Sequence, residues 1–438
     1  MARIIRLKAD QGEKKKAQNN KLRTAKKEEK KSDEIMESAS AAKIVSVILA
    51  HAAEGCASDI HIEPLPDKSR VRYRIDGLLE TALSFSKNIN NSIVAEIKTL
   101  SNLQLDENRL PQNGRFMSVI NGAETDFRVS TLPLARGEEK IVLRILKTGK
   151  DAPALENLGF TENHLEIINR NIKKTSGLVL VTGPVGSGKS ATIFSIINKL
   201  NQEGINISTL EDPIEYAIKG VNQTQVMPEI GLTFASGLRT ILRQDPDVIM
   251  VGEIRDQETA QLAAHASLTG RLVLSALHAD NCSGAVSRLI YISAEPSTVA
   301  MAVDLVLAQR LVRKICLFCK EKISPSREIA DGVREEFKKI HPEIISEALP
   351  GFDMNDFKLY RGKGCPRCAG RGYSGRTAIA ELLEMNDALR SIIIDKKRRL
   401  RPDDISASQK FLTLKQDGVI KALLGITTVE EISRVLND

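Results

Sequence analysis

Gly183-Pro-Val-Gly-Ser-Gly-Lys189-Ser190 follows the apolar run Leu178-Val-Leu-Val181 directly and leads into the helical run Ala191-Thr-Ile-Phe-Ser-Ile-Ile197. The octet fits G-x-x-x-x-G-K-[ST], and a strand before it with a helix after it is the context in which that pattern cradles phosphate. Gly183, Pro184, Val185, Gly186, Ser187 and Gly188 form the loop. Its glycines let backbone N–H groups curl around an anion, and the helix N-terminus adds partial positive charge. Lys189 is placed to reach β- and γ-phosphates, and the Ser190 hydroxyl to ligate Mg²⁺. Such a loop needs a buried strand behind it, so the chain is expected to contain an α/β domain.

The flanking sequence agrees. Short apolar runs at Ile205–Leu210, Val248–Val251 and Leu272–Leu274 alternate with helical stretches, as strands buried on both faces of a mainly parallel sheet do. Asp247-Val-Ile-Met-Val-Gly252-Glu253 ends such a strand in a carboxylate able to polarise water, although Gly252 stands where many P-loop enzymes keep a metal-holding Asp. Glu211-Asp212-Pro-Ile-Glu215, after another strand, offers replacement acids. His278 also follows a strand, at the edge where α/β sheets bind ligands, which suits it to sense a γ-phosphate or orient water. His51, His61, His164, His265 and His341 have no such setting and are expected to be structural or exposed.

Upstream, Ile35–His51 carries apolar residues near helical spacing, with Gly55 as C-cap. Asp59–Glu63 and Arg70–Ile75 alternate with period two, and a helix near 88–101 and strands at 115–120, 124–130 and 140–146 complete an α+β unit over residues 35–150. Residues 151–170 read as a linker, 171–314 as the phosphate-binding core and 315–385 as a charged, cysteine-bearing segment, loop-rich until about Gly375 and helical from there on into the C-terminal helices of 386–438.

The net charge of +7 suggests nucleic acid until it is located. Residues 1–34 hold 12 Lys/Arg and 6 Asp/Glu, leaving 51 basic and 50 acidic residues in the other 404. The basic segment reads as a solvated arm or a docking arm for an anionic membrane or acidic partner. The near-neutral body, with no Trp and 4% aromatics, lacks stacking surfaces for bases. No run reaches the ~18 apolar residues of a membrane span, and the start lacks a signal-peptide core, so a cytosolic location is expected.

Cys316-x-x-Cys319 and Cys365-x-x-Cys368 place two thiolates in each of two tight knuckles, suited to tetrahedral Zn²⁺. The 45 residues between the pairs exceed a usual zinc ribbon, so an iron–sulfur cluster stays open, while the expected compartment disfavours disulfides. Cys56 and Cys282 stand alone.

Together these motifs resemble the secretion ATPases of type II secretion and type IV pilus assembly. The resemblance runs from about Ile35 to Met385 and includes Ala57-Ser-Asp-Ile-His-Ile-Glu-Pro64, Tyr73-Arg-Ile-Asp-Gly77, Arg109-Leu-Pro-Gln-Asn-Gly114, Asp126-Phe-Arg-Val-Ser-Thr-Leu-Pro133, the phosphate loop, Glu211–Glu215, and Leu238–Asp247 running into Gly252-Glu-Ile-Arg-Asp256. It implies a PAS-like N-terminal domain joined to a RecA-like P-loop motor with a tetracysteine zinc insertion and C-terminal helices. It also implies a homo-hexamer binding ATP, Mg²⁺ and Zn²⁺ at the cytoplasmic face of the inner membrane, attached through platform and anchoring proteins. By the same resemblance Arg128, Arg144, Arg239 and Arg243 contact nucleotide phosphates, some across a boundary. The resemblance likewise makes Glu253 the expected catalytic glutamate, and the tetracysteine segment argues against the pilus-retraction branch. Two departures stand out. The family's His-Thr-Asn reads His278-Ala279-Asp280, and the chain begins close to the PAS-like region, so residues 1–34 are expected to serve in place of a longer docking region. A nucleic-acid translocase on the same core is the alternative. A nucleotide-gated scaffold without turnover conflicts with Glu253.

Overall fold

The computed structural model describes residues 40–146, 153–293, 295–395 and 399–437. The basic arm, residues 1–34, lies outside them, as does the expected helical start at Ile35. The chain divides into two units, Met1–Thr148 and Gly149–Asp438.

In the first unit, six strands make one antiparallel sheet in the order β3-β2-β1-β6-β5-β4: β1 (Asp59–Pro64), β2 (Lys68–Ile75), β3 (Leu78–Ser86), β4 (Gln112–Ile120), β5 (Ala123–Pro133) and β6 (Glu139–Leu146). Alternation along the strands turns Ile60, Ile62, Val71, Phe127, Val129, Ile141 and Leu143 to one face, where they pack with Ile44, Ile48, Ile93 and Ile97 of the helices Ala41–Glu54 and Lys87–Leu100. Sequence periodicity misses β3, because Leu78–Ser86 mixes polar and apolar residues. Its signal is the turn before it: Asp76 and Gly77 both have positive φ, as a tight β2–β3 hairpin requires. Asn121-Gly122 repeats the device between β4 and β5.

The second unit is built on a seven-stranded sheet in the order β15-β12-β7-β11-β10-β8-β9. Its members are β7 (Gly177–Thr182), β8 (Ile207–Glu211), β9 (Asn222–Gln225), β10 (Val248–Glu253), β11 (Leu272–Leu277), β12 (Val303–Ile315) and, beyond a small pair β13 (Lys320–Ile323) and β14 (Leu359–Gly362), β15 (Tyr373–Glu384). All neighbours are parallel except β12 and β15. Successive β7 residues serve opposite cores, Leu178 and Leu180 one and Val179 and Val181 the other, which explains the unbroken apolar run.

Three expectations change. The stretch read as a linker, 151–170, is packed wherever it is described, from residue 153 on: Leu155, Phe160, Ile168 and the helix Glu162–Ile172 lie in the second unit's core. The segment 315–385 is not wholly an insertion, since its last part is β15, an edge of the main sheet and a strand where helix was expected. Between the cysteine pairs, the helices Arg327–Phe337 and Pro342–Ala348 share an apolar cluster with Val419, Ile420 and Leu423 of the C-terminal helix Leu414–Leu423. That small lobe accounts for the long spacing.

Candidate active site and metal centre

The phosphate loop leaves β7 at Thr182 and enters the helix Lys189–Leu200. Gly183, Gly186 and Gly188 all have positive φ, and a Cβ on Gly183 would lie 2.6 Å from the Gln309 carbonyl, so a side chain there collides with β12. Lys189 folds back, its Nζ donating to the carbonyls of Gly183 (2.8 Å) and Pro184 (3.0 Å). Burial pulls its pKa down, while Glu253 and Glu215 oppose that and Arg310 reinforces it. A partly desolvated ammonium held by neutral carbonyls is primed to exchange them for an anion. Beside the loop lies a cavity of about 490 Å³ whose lining includes Gly183, Pro184, His278, Asp280, Asn281 and Arg288.

Adjacent parallel strands bring Glu253 and His278 together: His278 Nε2 lies 3.0 Å from Glu253 Oε2. Burial pushes the Glu253 carboxyl up, but the Arg255 hydrogen bond and the charges of Arg255 and His278 outweigh it and hold the pKa below the usual value. Glu253 is therefore an ionised acceptor near neutral pH, and His278 Nε2 carries the proton and donates. Arg255 donates to Glu253 Oε1 and lies 3.7 Å from Asp212 Oδ2, joining the two acidic motifs.

The acidic cluster divides in two. Glu211 is buried and accepts from the Thr209 hydroxyl (2.6 Å) and Gln223 Nε2 (2.9 Å), so this carboxyl organises its own loop; burial raises its pKa. Asp212 and Glu215 are exposed and available to a cation. Of the arginines, Arg239 pairs with Glu258, and Arg243 Nη1 donates to the Arg239 carbonyl (2.9 Å). Arg128 and Arg144 belong to the first unit and stand opposite each other on β5 and β6. Arg144 Nε donates to Asp59 Oδ1 at 3.0 Å, so its charge is compensated within the first unit.

Sequence reasoning missed three groups. The buried Thr182 hydroxyl donates to Leu277 O (2.9 Å) and accepts from Ala279 N (2.9 Å), fixing the turn that carries His278. Arg310 Nη2 donates to the carbonyl and side chain of Asp280 (3.1 and 3.2 Å), so the departure at Asp280 makes an ion pair here. Arg255 lay within a quoted motif, but only the fold reveals its partners.

The four cysteines converge, with their sulfurs all within 4.8 Å of one another. Cys316–Cys365, Cys319–Cys368 and Cys365–Cys368 are separated by 3.8, 3.9 and 3.7 Å. A tetrahedron with Zn–S bonds of ~2.3 Å needs sulfurs about 3.8 Å apart, so the donor set fits. The N–H groups of Cys365 and Gly372 donate to Cys368 Sγ (3.2 and 3.3 Å), as a thiolate ligand favours.

Comparison with known proteins agrees with this geometry. The family described as Type II/IV secretion system protein matches residues 34–434. The type IV pilus assembly ATPase PilB of Thermus thermophilus is 43% identical over 397 residues, covering 91% of this chain and 43% of that protein. The type II secretion system ATPase E of Vibrio cholerae is 42% identical over 399 residues, covering 90% of this chain and 75% of the relative. The chain thus spans less than half of the first relative and three quarters of the second. Among solved structures, the pilus retraction motor PilT with bound ADP aligns at a TM-score of 0.57 and 27% identity, covering 89% of this chain and 96% of that one. The Legionella pneumophila ATPase DotB shares the fold at a TM-score of 0.61 and 22% identity, covering 88% of this chain and 93% of its own. With a RecA-like core and a tetracysteine centre, the chain belongs to the type II/IV secretion system ATPase family.

Proposed function

We propose that the chain hydrolyses ATP as a cytoplasmic homo-hexamer and powers assembly of a type IV pilus or type II secretion pseudopilus at the inner membrane. The observation that carries the reading is the Glu253–His278 pair at 3.0 Å, at the strand ends beside a complete phosphate loop. The loop N–H groups and Lys189 bind the triphosphate. Ser190, with Asp212 and Glu215, would hold Mg²⁺, which would supply charge neutralisation on the phosphates. The Glu253 carboxylate accepts a proton from, and thereby orients, the attacking water. His278 fixes the Glu253 rotamer and responds to the γ-phosphate. Arg255 keeps the carboxylate ionised.

Arg239 and Arg243 are the second unit's remaining candidates for neutralising the transferring phosphoryl group, and Arg128 and Arg144 are the first unit's candidates for contacting nucleotide phosphates. Arg239 and Arg243 are engaged with Glu258 and their own helix within one chain, which favours a site completed by assembly. Zn²⁺ at Cys316, Cys319, Cys365 and Cys368 is structural, since four thiolates leave no open position. Platform and anchoring proteins are the expected partners, as the relatives named for pilus assembly and secretion support.

Specific activity against protein concentration tests the shared site. An arginine supplied in trans contributes on the order of 10³–10⁵ in turnover, so a dilute monomer should be nearly inactive. Concentration-independent turnover would reject the shared site. Strong stimulation by single-stranded DNA, with none by the cytoplasmic domain of a platform protein, would transfer the reading to a translocase.

A further inference from the structure

Gln309 lies on β12, away from every motif that announces the nucleotide site. In the parallel pairing of β12 with β7, Ala308 stands opposite Thr182, so Gln309 falls beside Gly183, where β7 ends and the phosphate loop begins. Its side chain is 1% exposed and both ends of the amide are used. Nε2 donates to the Ser187 carbonyl at 2.8 Å, and Oε1 accepts from the Thr192 hydroxyl at 2.8 Å. The amide therefore spans from the crown of the loop to the first turn of the helix behind it. A Cβ on Gly188 would lie 2.9 Å from the same Nε2, so Gln309 sits directly beneath the loop.

We infer that Gln309 is a positioning residue for phosphate binding, one that sets the direction of a loop N–H without touching the ligand. In a planar trans peptide the C=O and the following N–H point in opposite directions. Drawing the Ser187 carbonyl inward onto Gln309 turns the Gly188 N–H outward, to the side where a phosphate is received. The positive φ of Gly188 makes its neighbourhood permissive to other peptide orientations, so the loop alone does not select this one. The Ser187 carbonyl fixes the amide's sense, because it can only accept and so takes Nε2, leaving Oε1 for the Thr192 hydroxyl, which then donates. The inference rests on the nucleotide reading above and extends it to a residue outside the loop.

The experiment is ADP affinity, measured by calorimetry on the full chain, for wild type, Gln309→Ala and Gln309→Glu. Lys189→Ala serves as control. Gln309→Ala releases the loop and leaves a buried carbonyl unpaired, and ADP affinity should fall on the order of tenfold. Turnover at saturating ATP should be affected less than KM. Gln309→Glu matches the shape and still accepts from Thr192, but an ionised carboxylate cannot donate to Ser187. Its weakened ADP binding should recover as pH falls, because the protonated acid regains a donor, whereas wild type should lack this recovery. A purely packing role would not produce that pH profile. If Gln309→Ala fails to fold, the near-isosteric Gln309→Glu variant decides alone. Wild-type affinity in Gln309→Glu at every pH would overturn the role of Gln309. Absence of ADP binding by wild type itself would instead overturn the nucleotide reading.

Discussion

His164 sits on the helix Glu162–Ile172, 2% exposed, with its Nδ1 lacking a hydrogen-bond partner among the described residues. Burial lowers its pKa from 6.5 to about 4; the nearby Asp417 raises it and Lys421 lowers it, and these two form an ion pair with each other at 2.6 Å. The unfolded chain takes a proton at pH 6.5, and the folded chain does so only near 4. Stability is therefore intact above about pH 6.5, falls as pH drops through the window from 6.5 to 4, and loses nothing further to this group below it. A gap of 2.5 units, at 1.36 kcal/mol each, puts the loss at about 3 kcal/mol. Urea unfolding of the transition that reports the second unit, followed from pH 7.5 to 4.5, measures it. Carboxylates such as Glu63 and Glu431, held at about 2, lose their contribution at lower pH and are common to both proteins compared. His164→Phe removes the titration at similar ring size, so the difference between wild type and variant should shrink toward acid by about 3 kcal/mol. Parallel curves across the window would refute the burial argument.

Arg255→Ala should move the acid limb of the ATPase pH profile to higher pH, because burial of Glu253 then acts without its main opponent; an unmoved limb would deny Arg255 this role. Cys365→Ser should drop bound zinc from about one per chain to none and speed amide exchange around residues 315–323 and 359–376, since ligation and local folding are coupled. Iron in the purified wild-type protein, or a folded protein with no metal, would reject the zinc assignment.

The sequence exposes those parts of this fold whose chemistry is local. A phosphate loop announces itself because glycines, lysine and hydroxyl lie within eight residues, and β7, β10 and β11 because strands buried on both faces read as unbroken apolar runs. β12 and β15 escape notice because side chains such as Gln309, Arg310 and Glu381 interrupt their apolar pattern, and those polar groups are satisfied by backbone groups far away in the chain. Glu381 Oε1, for instance, accepts from Cys282 N at 2.8 Å, 99 residues away in the chain. Position at a strand end identified Glu253 and His278 as candidates, but their pairing depends on the order of β10 and β11. Glu211 illustrates the converse: a carboxylate conspicuous in sequence proves to be buried, holding its loop through Thr209 and Gln223.

Paired binding and turnover measurements on two variants decide whether Glu253 activates water in a nucleotide site built by the phosphate loop. Glu253→Gln should bind ATP like wild type while hydrolysing it at least ~100-fold more slowly, and Lys189→Ala should lose affinity for ATP itself. Wild-type turnover by Glu253→Gln would remove Glu253 from water activation, and unchanged nucleotide affinity in Lys189→Ala would remove the phosphate loop from nucleotide binding.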